Sequence, residues 1–381
     1  MSTLRGITWE HPRGLDCFVA ASAVYSEAHP GTTIEWAARS LQAFADAPLE
    51  TLAREYDLLV IDHPHVPVAA RDGLLMTLDG RNHDDDLELL AEQSVGRSHA
   101  SYASGGHQYG LATDAAAQVS ASRPDLIARP PDDWDGVLEL AREGRVLWPA
   151  KPIDALSSLI TIAGAHGASP VDEPGVFLRR EKLLEALDLM HRLADAVPAD
   201  CLAQNPIEVA EALAHSDRHC YAPLLFGYSN YARAGFRGNR LRYHDAPAGP
   251  DGIAGSLLGG AGIAVSGATP HEREALDFAF WVASAEAQRG SYFDAGGQPG
   301  NAEAWDDDRA NGLTLDFFRD TWETLDRAWV RPSTTGWLAF QDLVAPWVTE
   351  ALARELSDDE LGRRLDEAAA ELLLVAERAG S

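Results

Sequence analysis

The sequence predicts an α/β protein of two lobes, built on parallel or mixed sheets with helices on both faces and closed by a helical C-terminal segment. Three observations predict it. The chain has 381 residues, beyond the usual size of one domain, so two cores are expected. Its first sixty residues alternate short apolar runs with helical spacing, the mark of parallel strands joined by helices. A second such series follows Gln108, with no Ser/Pro-rich linker or internal repeat between them.

The elements follow in order. Leu4–Trp9 reads as a strand, Leu15–Ala28 as a helix, Thr32–Ala37 as a strand, Leu49–Glu55 as a helix and Asp57–Ile61 as a strand. Asp57-Leu-Leu-Val-Ile-Asp62 is a continuous apolar run, as expected where both faces of a sheet are covered. Asp79–Gly106 is irregular, and Gln108-Tyr-Gly-Leu-Ala-Thr-Asp114 resumes as a strand at which the chain is expected to cross between lobes. Beyond it, Trp134–Arg142 is helical, Arg145–Trp148 strand-like, and Ala155–His166 and Arg180–Ala196 helical, with Gly167 as a stop. His219–Leu225 and Leu241–His244 read as strands. Leu257–Ser266 reads as a glycine-dense turn feeding a strand, and Pro270–Gln288 as one amphipathic helix. Leu313–Arg378 is expected to be helical, interrupted at Arg331–Gly336.

Composition narrows the function. Hydrophobic residues make up 46% and charged residues 24%, so a packed globular fold is expected. The net charge is −28, and Lys151 and Lys182 are the only lysines. A protein that tracks phosphates needs a basic stripe, so nucleic acid is excluded as a partner. No run of about 18 apolar residues is present, so no membrane-spanning helix is predicted. The opening residues lack a charged n-region, an apolar core and a small-residue cleavage site, so no secretory signal is read. Cys17, Cys201 and Cys220 have no metal-ligand spacing; a Cys201–Cys220 bridge is the one disulfide the count leaves open. No cofactor motif is present, and no cofactor is expected. Gly259, Gly260 and Gly262 precede a strand instead of leading from one into a helix, so they are not a dinucleotide fingerprint; a hinge or close backbone approach is their reading.

The series Trp9-Glu-His-Pro-Arg13, Tyr56–His63, Gln108–Asp114, Leu258–Val265, Ala285-Glu-Ala-Gln288 and Gly296-Gly-Gln-Pro-Gly300 resembles the extracellular solute-binding proteins of ABC importers, family 1-like, over nearly the whole chain. The resemblance implies the type II periplasmic-binding fold. It places lobe 1 at 1–112 plus 259–303, lobe 2 at 113–258 plus 304–381, and a ligand cleft between them. It also implies a protein that closes around a small polar or aromatic organic ligand and hands it to an ABC permease. A monomer is expected. The location is extracytoplasmic if a leader has been removed and cytoplasmic if the sequence is complete.

Open α/β sheets bind ligands beyond the carboxyl ends of their strands. That rule selects Trp9, His11 and Arg13 after the first strand, Arg39 and Ser40 after the second, Asp62 and His63 after the third, Asp114 and Gln118 at the crossing, and Gly260. Arg39-Ser-Leu-Gln42 is expected to open a helix. Phe226, Tyr228, Tyr231 and Trp337 are the aromatic candidates of lobe 2. For each residue the plain alternative is a core ring, a helix cap or a surface charge. Asp62-His-Pro-His65 offers two imidazoles but no third ligand at diagnostic spacing, so no metal is assigned. The competing class is an intracellular sensor or an enzyme on the same scaffold. Its sharpest version is a transferase similar to thiaminase I in architecture alone, with Cys17 at a helix start as nucleophile. No general base accompanies Cys17, because Asp16 is its immediate neighbour on the helix and adjacent positions do not face each other.

Overall fold

The computed structural model describes residues 2–40, 49–250, 252–253 and 255–373. The strands are β1 (Ser2–Trp9), β2 (Thr32–Arg39), β3 (Leu58–Ile61), β4 (Ala103–Ser104), β5 (His107–Gln108), β6 (Leu111–Ser122), β7 (Tyr221–Phe226), β8 (Arg242–His244) and β9 (Leu258–Val265). Two compact units form, Met1–Ala116 with Gly259–Gly312, and Ala117–Leu258 with Leu313–Ser381. The chain passes from the first to the second within β6.

In the first unit the strand order is β2-β1-β3-β9-β6. β2 and β3 both pair parallel to β1, and β9 pairs antiparallel to β3. The apolar run of β3 serves both faces because successive side chains alternate. Leu58 and Val60 join Leu4, Phe18, Tyr25, Ile263 and Phe278 on one face, under the helices Cys17–Ala28 and Glu272–Ala283. Leu59 and Ile61 join Ile7, Val66, Leu75 and Tyr102 on the other.

The second unit is built on the latter half of β6, which pairs antiparallel with β7 and β8. A bulge between Val119 and Ala121 shifts the register with β7. Helices Pro152–Ala165, Arg180–Ala194, Trp337–Leu352 and Asp358–Leu372 supply its core, with Trp148, Phe177, Leu224, Phe340, Val344 and Leu361 buried together.

Several local expectations need correction. The expected strand 108–114 is two elements, with β5 paired to β4 in a small hairpin and β6 running on to Ser122. The expected helix 270–288 breaks at Ser284, whose extended backbone lets its hydroxyl cap the helix Ala285–Arg289 by accepting from the Ala287 N–H. Arg145–Trp148 lies beside β7 through a single bridge, Val146 to Tyr221, instead of forming a full strand. Cys201 and Cys220 are buried free thiols, so no disulfide joins them.

Candidate functional site

In the first unit, parallel pairing puts the ends of β1, β2 and β3 on one edge. Trp9 stands opposite Arg39 in register, and the Glu10 N–H donates to the Arg39 carbonyl at 2.7 Å. β9 enters from the same edge, because Ile61 pairs with Gly262. A Cβ on Gly260 would lie 2.3 Å from the Asp114 carbonyl oxygen, and one on Gly262 would press on the Leu111 carbonyl. β6 therefore runs antiparallel to β9 and brings Asp114 to that edge as well. Gly260 has φ +113°, a conformation L side chains rarely adopt, so both backbone angle and space require glycine there.

The turn after β1 aims Arg13 inward. His11 is extended, and its Nδ1 accepts from the Arg13 N–H at 3.0 Å, capping a five-residue wide turn, Pro12–Asp16. Gly14 lies flat on the Trp9 ring, where a Cβ would come within 2.4 Å. Arg13 then donates to Asp114 in a bidentate pair, Nε to Oδ2 at 2.6 Å and Nη2 to Oδ1 at 2.5 Å. Both are buried, at 4% and 2% exposure. Burial raises the Asp114 carboxyl, Arg13 opposes the rise, and nearby Asp62 adds to it. A fork-to-carboxylate pair is the geometry that keeps such a buried charge tolerable.

Asp62 lies beside His63, Oδ1 to Nδ1 3.2 Å. His63 is buried edge-on to Tyr102, whose hydroxyl donates to the Ile61 carbonyl. Among the described residues, no group of three or more His, Cys, Asp or Glu side chains is placed to hold a metal ion.

The structure thus gathers His11, Arg13, Arg39, Ser40, Asp62, His63, Asp114 and Gly260 at one edge of the first unit. Arg39 is half-buried and Ser40 exposed; the helix expected to open at Arg39–Gln42 falls at 41–48, outside the described residues. Trp9 belongs to the core by packing, buried beneath the turn it precedes. In the second unit Phe226 ends β7 and Tyr228 follows it. Gln118 is committed to its own unit: Nε2 donates to Ser158 Oγ at 3.2 Å, and Oε1 accepts from Thr161 Oγ1 at 2.9 Å. Trp337 is 1% exposed, packed against Trp329 and Phe340 at ring separations of 5.6 and 5.4 Å. Its place is the core, because it opens a helix that lies against Pro152–Ala165.

Two residues escaped the sequence reading. Lys151 and Asp154 begin the helix Pro152–Ala165, just after the segment that runs beside β7. The signal was present in outline, since this is again the end of an extended run entering a helix, and Lys151 is one of only two lysines.

Cys17 is enclosed, its Sγ against the Arg13 carbonyl oxygen at 3.1 Å, and burial pushes the thiol far above its ordinary range. The wide turn also runs directly into the helix: the Cys17 N–H already donates to the Pro12 carbonyl. No free helix terminus remains to stabilise a thiolate.

Solved structures share this fold. Maltose-bound MalE3 of T. maritima matches with a TM-score of 0.80 at 16% identity, over 98% of this chain and 99% of that one. The GacH receptor of Streptomyces glaucescens, solved unliganded and with acarbose, matches with 0.80 at 16%, over 97% and 98%. An ABC transporter solute-binding protein from Agrobacterium vitis with bound D-mannitol matches with 0.77 at 15%, over 99% of each. At such identity these likenesses establish the fold, that of the type II periplasmic binding proteins. No curated protein matches in sequence. Residues 20–311 match the family model of bacterial extracellular solute-binding proteins, which are ligand-binding proteins of ABC importers and not enzymes, and the chain belongs to that family.

Proposed function

We propose that this chain binds a small, neutral, hydroxyl-rich molecule, a sugar or polyol, through residues at the carboxyl edges of its sheets, and passes it to an ABC permease. One observation carries the reading: the first unit delivers Arg39, Ser40, Asp62 and His63 to a single strand-end edge at which Arg13 and Asp114 neutralise one another. An edge whose buried charges cancel suits hydrogen-bonding groups better than a net ion. The overall charge of −28 further disfavours an anion. Maltose, acarbose and D-mannitol in the fold's other members agree with this class. In the second unit the same strand-end rule selects Phe226 and Tyr228, whose rings suit the apolar face of a sugar.

The family is extracellular, and we place this protein outside the cytoplasmic membrane as a monomer, a state that sedimentation would check. No described helix is long and apolar enough to cross a membrane. The decisive test is calorimetric titration with maltose, α-D-tagatose and D-mannitol, with glutamate as an anionic contrast. At least one neutral compound is expected to bind, and Asp62→Ala is expected to weaken it roughly tenfold or more. Glutamate binding in place of the neutral compounds would overturn the ligand class, and unchanged affinity in Asp62→Ala would overturn the site.

A further inference from the structure

The helix Pro152–Ala165 begins without a side-chain cap, with Lys151 at the capping position and Pro152 after it. Its first turn carries Asp154, only 4% exposed. The Oδ2 atom is wholly enclosed and meets no hydrogen-bond donor among the described residues. Four polar side chains near this turn, Gln118, Trp148, Ser158 and Thr161, bond to one another or to the backbone and not to the Asp154 carboxyl. Gln118 Nε2 donates to the Asp154 backbone carbonyl at 3.4 Å and to Ser158, Thr161 donates to Gln118, and Trp148 Nε1 donates to Ser158 Oγ at 3.1 Å. Burial lifts the carboxyl to about 8, opposed by Lys151 and reinforced by Glu208. Native proteins rarely leave an enclosed acceptor without a partner, and where they do the group calls for an explanation.

Its place in the fold supplies one. Val146 lies beside Tyr221 in parallel sense, the Leu147 N–H donates to the Tyr221 carbonyl, and the segment turns into the helix at Lys151. Gln118, whose amide reaches the Asp154 carbonyl, is the register partner of Phe226, the last residue of β7. Asp154 thus stands at the carboxyl edge of the second unit's sheet, where open α/β sheets receive ligands.

We propose that Asp154 is a specificity-determining residue that hydrogen-bonds a hydroxyl group of the ligand. The inference rests on the solute-binding reading above and narrows it. A hydroxyl suits this carboxyl in either protonation state, because it donates to a carboxylate and accepts from a carboxylic acid, whereas an ammonium can only donate. The side chain is then retained in the empty protein at a cost in stability, since its partner arrives with the ligand.

Two arms test this on the full chain with Asp154→Asn and Asp154→Leu. The first needs no ligand: thermal melting at neutral pH is expected to leave at least one variant as stable as the wild type or more so, because an unpaired buried group has been removed. Both variants melting several degrees lower would make the carboxyl a structural group and overturn the proposal. The second is calorimetry with maltose and D-mannitol. Where the wild type binds, both variants are expected to bind roughly 10- to 100-fold more weakly, and equal affinity would overturn the proposal. If the wild type binds neither compound, the sugar-or-polyol reading fails separately, and the melting arm still decides whether Asp154 is structural.

Discussion

The strand-end edges of the two units handle a buried carboxyl group in opposite ways. In the first unit Asp114 is buried beside Arg13 and held by two hydrogen bonds from its guanidinium. In the second, Asp154 is buried to the same degree with no donor at Oδ2 among the described residues. One edge completes its own electrostatics while the other keeps an acceptor open. A group satisfied inside the fold is a structural group first, and a group left open is the better candidate for selecting a ligand.

The largest expected effect breaks the satisfied side of this comparison. Arg13→Ala strands the Asp114 carboxylate and is expected to cost about 3–5 kcal/mol in denaturant unfolding. A loss near zero would mean that Asp114 simply takes up a proton when Arg13 is gone. Trp337→Ala should cost a similar amount, about 3–5 kcal/mol, because its ring fills core volume against Trp329 and Phe340. Normal stability with weakened binding would instead return Trp337 to the ligand contacts. Gly260→Ala forces a side chain against the Asp114 backbone at φ +113° and should cost at least about 1 kcal/mol.

The remaining predictions concern pH and carry opposite signs. Burial raises the Asp154 carboxyl from 3.8 to about 8. Between those values the folded chain holds a proton that the unfolded chain has lost, so this group makes stability fall as pH rises through the window. Asp154→Asn should flatten that slope in melting curves collected across it. Burial lowers His244, on β8, from 6.5 to about 4. Here the unfolded chain takes up the proton first, so this group makes stability fall as pH drops through that window, and His244→Gln should remove the loss.

Much of the first unit is legible in the chain's local pattern. Leu58–Ile61 reads as a doubly covered strand because four consecutive apolar residues can only alternate between two buried faces. Asp62 and His63 are placed by the same reading, since a side chain just beyond a parallel strand must emerge at the sheet's carboxyl edge. Boundaries were less legible. Nothing in Pro270–Gln288 announces the break at Ser284, because a serine inside a helical pattern and a serine capping the next helix look alike until the backbone is seen.

The two tryptophans show where local pattern stops. Trp9 and Trp337 both sit where chemistry would welcome a ring, at a strand end and a helix start, and both are taken up by packing, against Gly14 and against Trp329 with Phe340. Asp154 shows the reverse, an acidic residue of the kind that the first turn of any helix favours. Strand rhythm and edge residues depend on neighbours a few positions apart, so they are written in the chain itself. Burial, pairing and proton affinity depend on which distant segments exclude water from a group, and Asp154 meets Gln118, 36 positions away, only after β6 and the helix have come together.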